Sequence, residues 1–251
     1  MDKRFMLILA VIIAGFIGIV MFQKKDNAAT GNNNGNTSGQ RSQNTWGKLD
    51  SKVTVTEFVD FQCEACYAYY PFFKEVKDKY KDQVRFEVRY FPIEGGDHKF
   101  ARQAARSAEA AARQGKFWEM HDLIFQGQKQ WERMPDPQST FNDYAKSIGL
   151  DMTKFEADRI SSDVNNVINK DLSDVKALGG DGTPTFAING KKVENPGPTA
   201  EALSKMIEDA LKEAGITPAP TATQPANSQP APTSGGGGLN PGETQEEHDR
   251  E

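Results

Sequence analysis

The sequence predicts an α/β fold in which a β-α-β unit and a β-β-α unit are separated by an all-helical insertion. Three observations carry this expectation. Apolar residues alternate with polar ones from Val53 to Val59 and from Val84 to Tyr90; strand signal then vanishes over roughly residues 95–178, where apolar residues recur at helical spacing; and alternation returns from Thr185 to Val193.

The first strand is Val53-Thr54-Val55-Thr56-Glu57-Phe58-Val59. A helix follows, with Cys66, Tyr69, Tyr70, Phe73, Val76 and Tyr80 on one face. Pro71 falls inside it and is expected to kink it without ending it, because the apolar period resumes beyond. Val84, Phe86, Val88 and Tyr90 give a second strand, stopped by Pro92. A right-handed crossover then makes the two strands parallel. In the helical block, Ala101 to Arg113 is alanine-rich, and Phe117, Met120, His121, Ile124 and Phe125 trace a further helix. Met134-Pro135-Asp136-Pro137 breaks the pattern before shorter helices at Phe141 to Ile148 and Thr153 to Ile160, and a long one from Val164 to Leu178. Thr185 to Ile188 and Lys191 to Val193 flank Asn189-Gly190, a hairpin signal, because both central residues tolerate positive φ. A last helix starts near Thr199 and stops at Gly215.

Both ends of the 251-residue chain differ from this domain. After residues 1–4, an uncharged apolar run from Phe5 to Phe22 is long enough to cross a bilayer as a helix. Bulky Val20-Met21-Phe22 followed by Lys24-Lys25 favours an uncleaved anchor over a signal peptide, although Ala28-Ala29 leaves cleavage open. Residues 23–47 read as a flexible polar linker, 48–214 as the folded domain, and 215–251, rich in Pro, Ala, Thr and Gly, as a disordered tail. A net charge of −5 without a long basic run excludes nucleic acid as the expected partner.

The chain has two cysteines, in Cys63-Glu64-Ala65-Cys66, where strand hands over to helix. Unpaired N–H groups at a helix start stabilise a thiolate, the form that attacks disulfides. Cys63, nearer the start, is the expected nucleophile, and Cys66, one turn deeper, the resolving thiol. Two other readings compete. A structural bridge would close so small a loop that it stabilises little. A zinc site needs two more ligands, and His98, His121 and His248 are not spaced as ligands, so each reads as solvated or capping and no metal is expected. Glu57 shares the strand face of Val53, Val55 and Val59; if that face is buried, its carboxyl has a raised pKa and can exchange a proton with Cys66. If the face is exposed, it is an ordinary strand residue.

On these residues the chain resembles the DsbA-like thiol-disulfide oxidoreductases of the thioredoxin superfamily, over roughly residues 48–214. Gly182-Thr183-Pro184-Thr185-Phe186 matches that family's cis-proline loop, Glu57 its buried acidic residue six positions ahead of Cys63, and Pro71 its helix kink. The resemblance implies a thioredoxin fold with a helical insertion, a cis Pro184, and Thr183 backbone groups that pair with extended substrate. It implies a redox-active Cys63–Cys66 disulfide with no other cofactor, reduced or unfolded exported proteins as substrates, and a membrane redox partner that reoxidises the dithiol. The catalytic domain would then lie outside the cytoplasm on a single-pass anchor. A reductase or isomerase using the same site, and a membrane-tethered chaperone whose cysteines only lock it, remain open. Glu64-Ala65 departs from the Pro-His of the family's strongest oxidants. An anionic Glu64 disfavours the Cys63 thiolate, so Glu64 and Ala65 are read as tuning positions that make the pair less oxidising. Glu64→Gln is expected to raise the reduction potential in glutathione equilibration; an unchanged or lower value refutes this role.

Overall fold

A computed structural model describes residues 42–219. The apolar run from Phe5 to Phe22, His248 and nearly all of the C-terminal tail lie outside the described residues. Among the described residues no helix is long and apolar enough to cross a membrane.

The expected α/β order is present, with one strand added at the front. The elements are β1 (Asn44–Gly47), β2 (Thr54–Val59), α1 (Glu64–Lys79), β3 (Arg85–Tyr90), α2 (Ala101–Ala112), α3 (Phe117–Gln126), α4 (Gln128–Trp131), α5 (Gln138–Ser147), α6 (Met152–Ile160), α7 (Ser162–Ala177), β4 (Thr185–Ile188), β5 (Lys191–Lys192) and α8 (Ala200–Glu213). The sheet order is β1-β3-β2-β4-β5, with β2 and β3 parallel and the other pairs antiparallel. Helices α2 to α7 form the insertion between the two sheet halves. At the β4–β5 turn, Asn189 and Gly190 both adopt positive φ, 51° and 76°, as the hairpin signal requires.

Strand register divides the sheet into two faces. Val55 pairs with Phe86, Glu57 with Val88 and Val59 with Tyr90, while Glu57 also faces Phe186 of β4. These residues share the face covered by α1, whose Phe73 meets Phe86 edge-on at 5.8 Å and whose Tyr69 lies 5.3 Å from Phe186. On the opposite face Phe58 and Ala187 pack against Phe91 and against Val175 of α7. Pro71 sits inside the continuous α1.

The expectation that residues 23–47 are all linker is corrected by β1. That stretch lacks the apolar residues that would announce a core strand, and it is held mainly by polar contacts. Asn44 Nδ2 donates to the Tyr90 hydroxyl at 2.9 Å, and that hydroxyl donates to Glu109 Oε2 at 2.9 Å. Trp46 stacks edge-on against Trp118, and the Lys77 ammonium lies 3.7 Å above the Trp46 ring. Ser42 reaches α7, where Asp171 Oδ2 accepts its hydroxyl at 2.5 Å and the Tyr90 N–H at 3.0 Å. Asp171 Oδ1 accepts Arg89 Nε at 2.9 Å.

Asp171 is therefore a buried anion satisfied by two segments, the chain at Ser42 and strand β3 at Arg89 and Tyr90. Asp171→Ala leaves Arg89 with Asp174 Oδ2, 2.6 Å away, and frees Ser42 and the buried Tyr90 N–H. A loss of about 1–3 kcal/mol is expected in chemical denaturation, the range for leaving buried donors unmet; no measurable loss would show that the network is not needed.

Candidate active site

Strand β2 ends at Val59, and the turn that follows is built to present Cys63. Asp60 Oδ1 accepts the Gln62 N–H at 2.7 Å, an Asx turn, and Cys63 N–H donates to the Asp60 carbonyl at 3.1 Å. Asp60 Oδ2 also accepts the Ile93 N–H and contacts His98 Nδ1, both at 2.8 Å. Gln62 clamps the neighbouring loop from both ends of its amide, bonding the Asp97 carbonyl at 2.7 Å and the Phe100 N–H at 2.8 Å. The turn is thus fixed before the helix begins.

Cys63 is the N-cap residue of α1, with extended backbone, and both cysteines are free thiols. Cys63 is 8 % exposed and Cys66 wholly buried. This difference in depth drives their proton affinities apart. The Cys63 thiol is lowered to about 5, chiefly because the Cys66 side chain donates a hydrogen bond to its sulfur. Burial opposes the shift; the Thr183 side chain and the N–H groups of Cys66 and Ala65 reinforce it. The helix start therefore contributes, but behind the neighbouring thiol. Cys66 is pushed well above its ordinary value by burial first, then by Cys63 and by the Glu57 charge.

Thr183 meets Cys63 in two ways. The protonated sulfur donates to the Thr183 carbonyl at 3.4 Å. The Thr183 hydroxyl is buried and has no hydrogen-bond partner among the described residues; once the proton has left, it is free to turn its O–H toward the sulfur. The Thr183–Pro184 peptide is cis. Glu57 is 3 % exposed, and burial raises its carboxyl to about 8, so it carries a proton at neutral pH. The structure thus brings together Cys63, Cys66, Glu57, Thr183 and Pro184.

Glu64 stands apart from this group. Its side chain is 85 % exposed and pairs with Lys129 Nζ at 3.1 Å, so solvent and a neighbouring cation both weaken its field at Cys63. Ala65 contributes its N–H. Two hollows lie near these residues, and Cys63 lines the first. One, of about 670 Å³, is lined by Gln62, Glu64, Asp97, His98, Lys99 and Glu132. The other, of about 550 Å³, is lined by Thr183, Pro184, Lys192, Glu194 and Asn195.

The reading of the histidines as solvated or capping is corrected for two of them. His98 is the partner of buried Asp60. His121 is buried among Phe61, Tyr70, Phe117, Trp118 and Phe125. That burial lowers its pKa, and its place between Met120 and Ile124 on the apolar stripe was the available signal. Among the described residues no cluster of three or more His, Cys, Asp or Glu is placed to hold a metal ion. Sequence reasoning missed Asp60, Gln62 and Gln128. An Asp two residues ahead of Gln62 after a strand is a recognisable Asx-turn signal, and Gln128 falls four residues after Ile124 on an otherwise apolar face.

Comparison with known proteins agrees with this geometry. The thioredoxin family model matches residues 40–209. The chain is similar to the crystal structure of oxidised BdbD from Bacillus subtilis, at 26% identity and a TM-score of 0.59, covering 70% of this chain and 97% of that one. It is also similar to a thioredoxin-like oxidoreductase from Silicibacter pomeroyi DSS-3, at 25% identity and a TM-score of 0.53, covering 68% and 91%. Among curated proteins it is similar to Na(+)/H(+) antiporter NhaA 3 of Salinispora tropica, 36% identical over 180 residues that make up 68% of this chain and 25% of the antiporter. The chain spans about a quarter of the length of the curated relatives it matches. The chain belongs to the thioredoxin family.

If the Cys66 thiol is the main support of the Cys63 thiolate, Cys66→Ala raises the midpoint of the 240 nm thiolate absorbance from about 5. A midpoint that stays put contradicts that cause. The sign for stability follows from the lowered value: reduced protein gains from the folded-state thiolate at high pH and loses that gain as pH falls through about 5. Thermal melts of the reduced protein against the oxidised one, between pH 7 and pH 4, measure this loss.

Proposed function

We propose that the protein donates the Cys63–Cys66 disulfide to reduced, unfolded exported proteins. The observation that carries this direction is the split between the two thiols. Stabilising the Cys63 thiolate stabilises the reduced dithiol, and a stabilised reduced form makes the disulfide a stronger oxidant.

The chemistry balances without any further cofactor. A substrate thiolate attacks the Cys63 sulfur, forming a mixed disulfide and expelling Cys66 as a thiolate. Glu57, protonated at neutral pH, can give its proton to Cys66, whose affinity for it is far higher than usual. A second substrate thiolate then attacks the substrate sulfur of the mixed disulfide. Cys63 leaves as the stabilised thiolate; two electrons have passed from substrate to protein. Substrate in extended form would lie along the Thr183-Pro184 loop and take backbone hydrogen bonds from it. A membrane redox partner would return the dithiol to the disulfide. Consistent with work on exported proteins, the run from Phe5 to Phe22 would anchor the chain in the cell membrane with the domain outside. Antiport is not carried over from the NhaA relatives, because only a fraction of their length is represented here.

Equilibration with defined glutathione mixtures tests the direction. A reduction potential well above the roughly −270 mV of thioredoxin supports a donor; a value at or below it favours a reductase. Cys63→Ser should abolish oxidative refolding of a reduced substrate protein, whereas suppression of aggregation that survives the substitution, with no exchange in the parent, would mark a chaperone.

A further inference from the structure

Helix α4 belongs to the insertion, yet its first residue reaches the thiol site. Gln128 is completely buried. Its Nε2 donates to the Phe61 carbonyl at 2.8 Å and to the Cys63 carbonyl at 3.1 Å. Two acceptors can be met only by the NH2 end of an amide, so the orientation of this side chain is set by its neighbours. Its Oε1 is buried with no hydrogen-bond partner among the described residues. A buried acceptor left unmet costs stability and calls for a reason.

We propose that Gln128 is a positioning residue for the exchange reaction, holding the peptide planes on either side of the helix mouth so that the first N–H groups of α1 point at the Cys63 sulfur. This rests on Cys63 being the exchanging thiol. The Cys63 carbonyl also accepts the Tyr67 N–H at 3.0 Å, the first turn of α1. With Gln128 on the same oxygen, the plane between Cys63 and Glu64 cannot rotate without losing two hydrogen bonds. The N–H groups of Ala65 and Cys66 that support the thiolate follow directly after that plane. Gln128 does not touch the sulfur and acts through the backbone alone. Its placement comes from Gly127, which joins α3 to α4 where a Cβ would stand 1.9 Å from the Tyr144 hydroxyl, and from Trp131, whose indole N–H anchors α4 to the Ile124 carbonyl at 2.7 Å. The insertion therefore supplies part of the thiol's setting.

The test uses Gln128→Met in the full chain, which keeps side-chain volume and removes the donors. The thiolate midpoint at 240 nm is expected to rise by roughly half a pKa unit, the scale of one net hydrogen bond, with a matching fall in reduction potential. A purely structural role would lower the melting temperature and leave both redox readouts unmoved; that result overturns the proposal. If the variant does not fold, the wild-type side-chain amide is followed by 15N NMR. Gln128 Nε2 resonances that shift with the Cys63 titration support the proposal, and resonances that stay fixed through it overturn it. A wild type with no thiolate titration near 5 removes the exchange reading and this one together, whereas a titrating wild type with an unaltered variant removes this one alone.

Discussion

The site depends on one interaction, the support that the buried Cys66 thiol gives to the Cys63 thiolate. It has a defined direction because the two cysteines lie at different depths. Complete burial makes an ionised Cys66 costly, so Cys66 keeps its proton and donates it; Cys63, at the helix mouth, gains in return. Two chemically identical side chains separated by two residues thereby take different roles. Every other feature of the site either preserves this asymmetry or uses it.

The scaffold preserves it by fixing distance and access. Parallel pairing of β2 with β3 and antiparallel pairing with β4 place Glu57 between Val88 and Phe186, on the face covered by α1. A carboxyl there holds its proton at neutral pH, beneath the thiol that must take one. The Asp60 and Gln62 clamps tie the turn ahead of Cys63 to the loop from Ile93 to Phe100, and β4 begins just after the Thr183 carbonyl that meets the sulfur. Residues distant in sequence converge on one atom because the sheet sets their register, and because the insertion sends Gln128 back to the same turn.

Much of this could be read from the residues in order. Periodicity located β2, α1, β3, the Asn189-Gly190 hairpin and the helical block, since these elements bury one face and their sequences record which. Cys63, Cys66 and the loop at Thr183 and Pro184 stood out because their residue types are tied to one chemistry and one backbone geometry. Strand β1 was invisible because Ser42 and Asn44 are held by polar partners, Asp171 and Tyr90, that lie far along the chain. The burial of His121 was readable from its spacing and was outweighed by its residue type. Gln128 acts through backbone groups brought near only by folding; Asp60 carries a local Asx-turn signal toward Gln62, but its contacts to Ile93 and His98 are made by the fold. Glu64 looked influential by adjacency, but adjacency does not reveal that its side chain turns to solvent and to Lys129.

The central claim is that Cys63 is ionised and Cys66 is not across the neutral range. It is tested most directly by alkylating the reduced protein with iodoacetamide from pH 4 to 9 and measuring the modification of each cysteine by mass spectrometry. The account predicts a Cys63 rate that reaches its plateau above about pH 5, with Cys66 unmodified throughout. A Cys63 rate that keeps climbing to pH 9, or modification of Cys66 at a comparable rate, would contradict it.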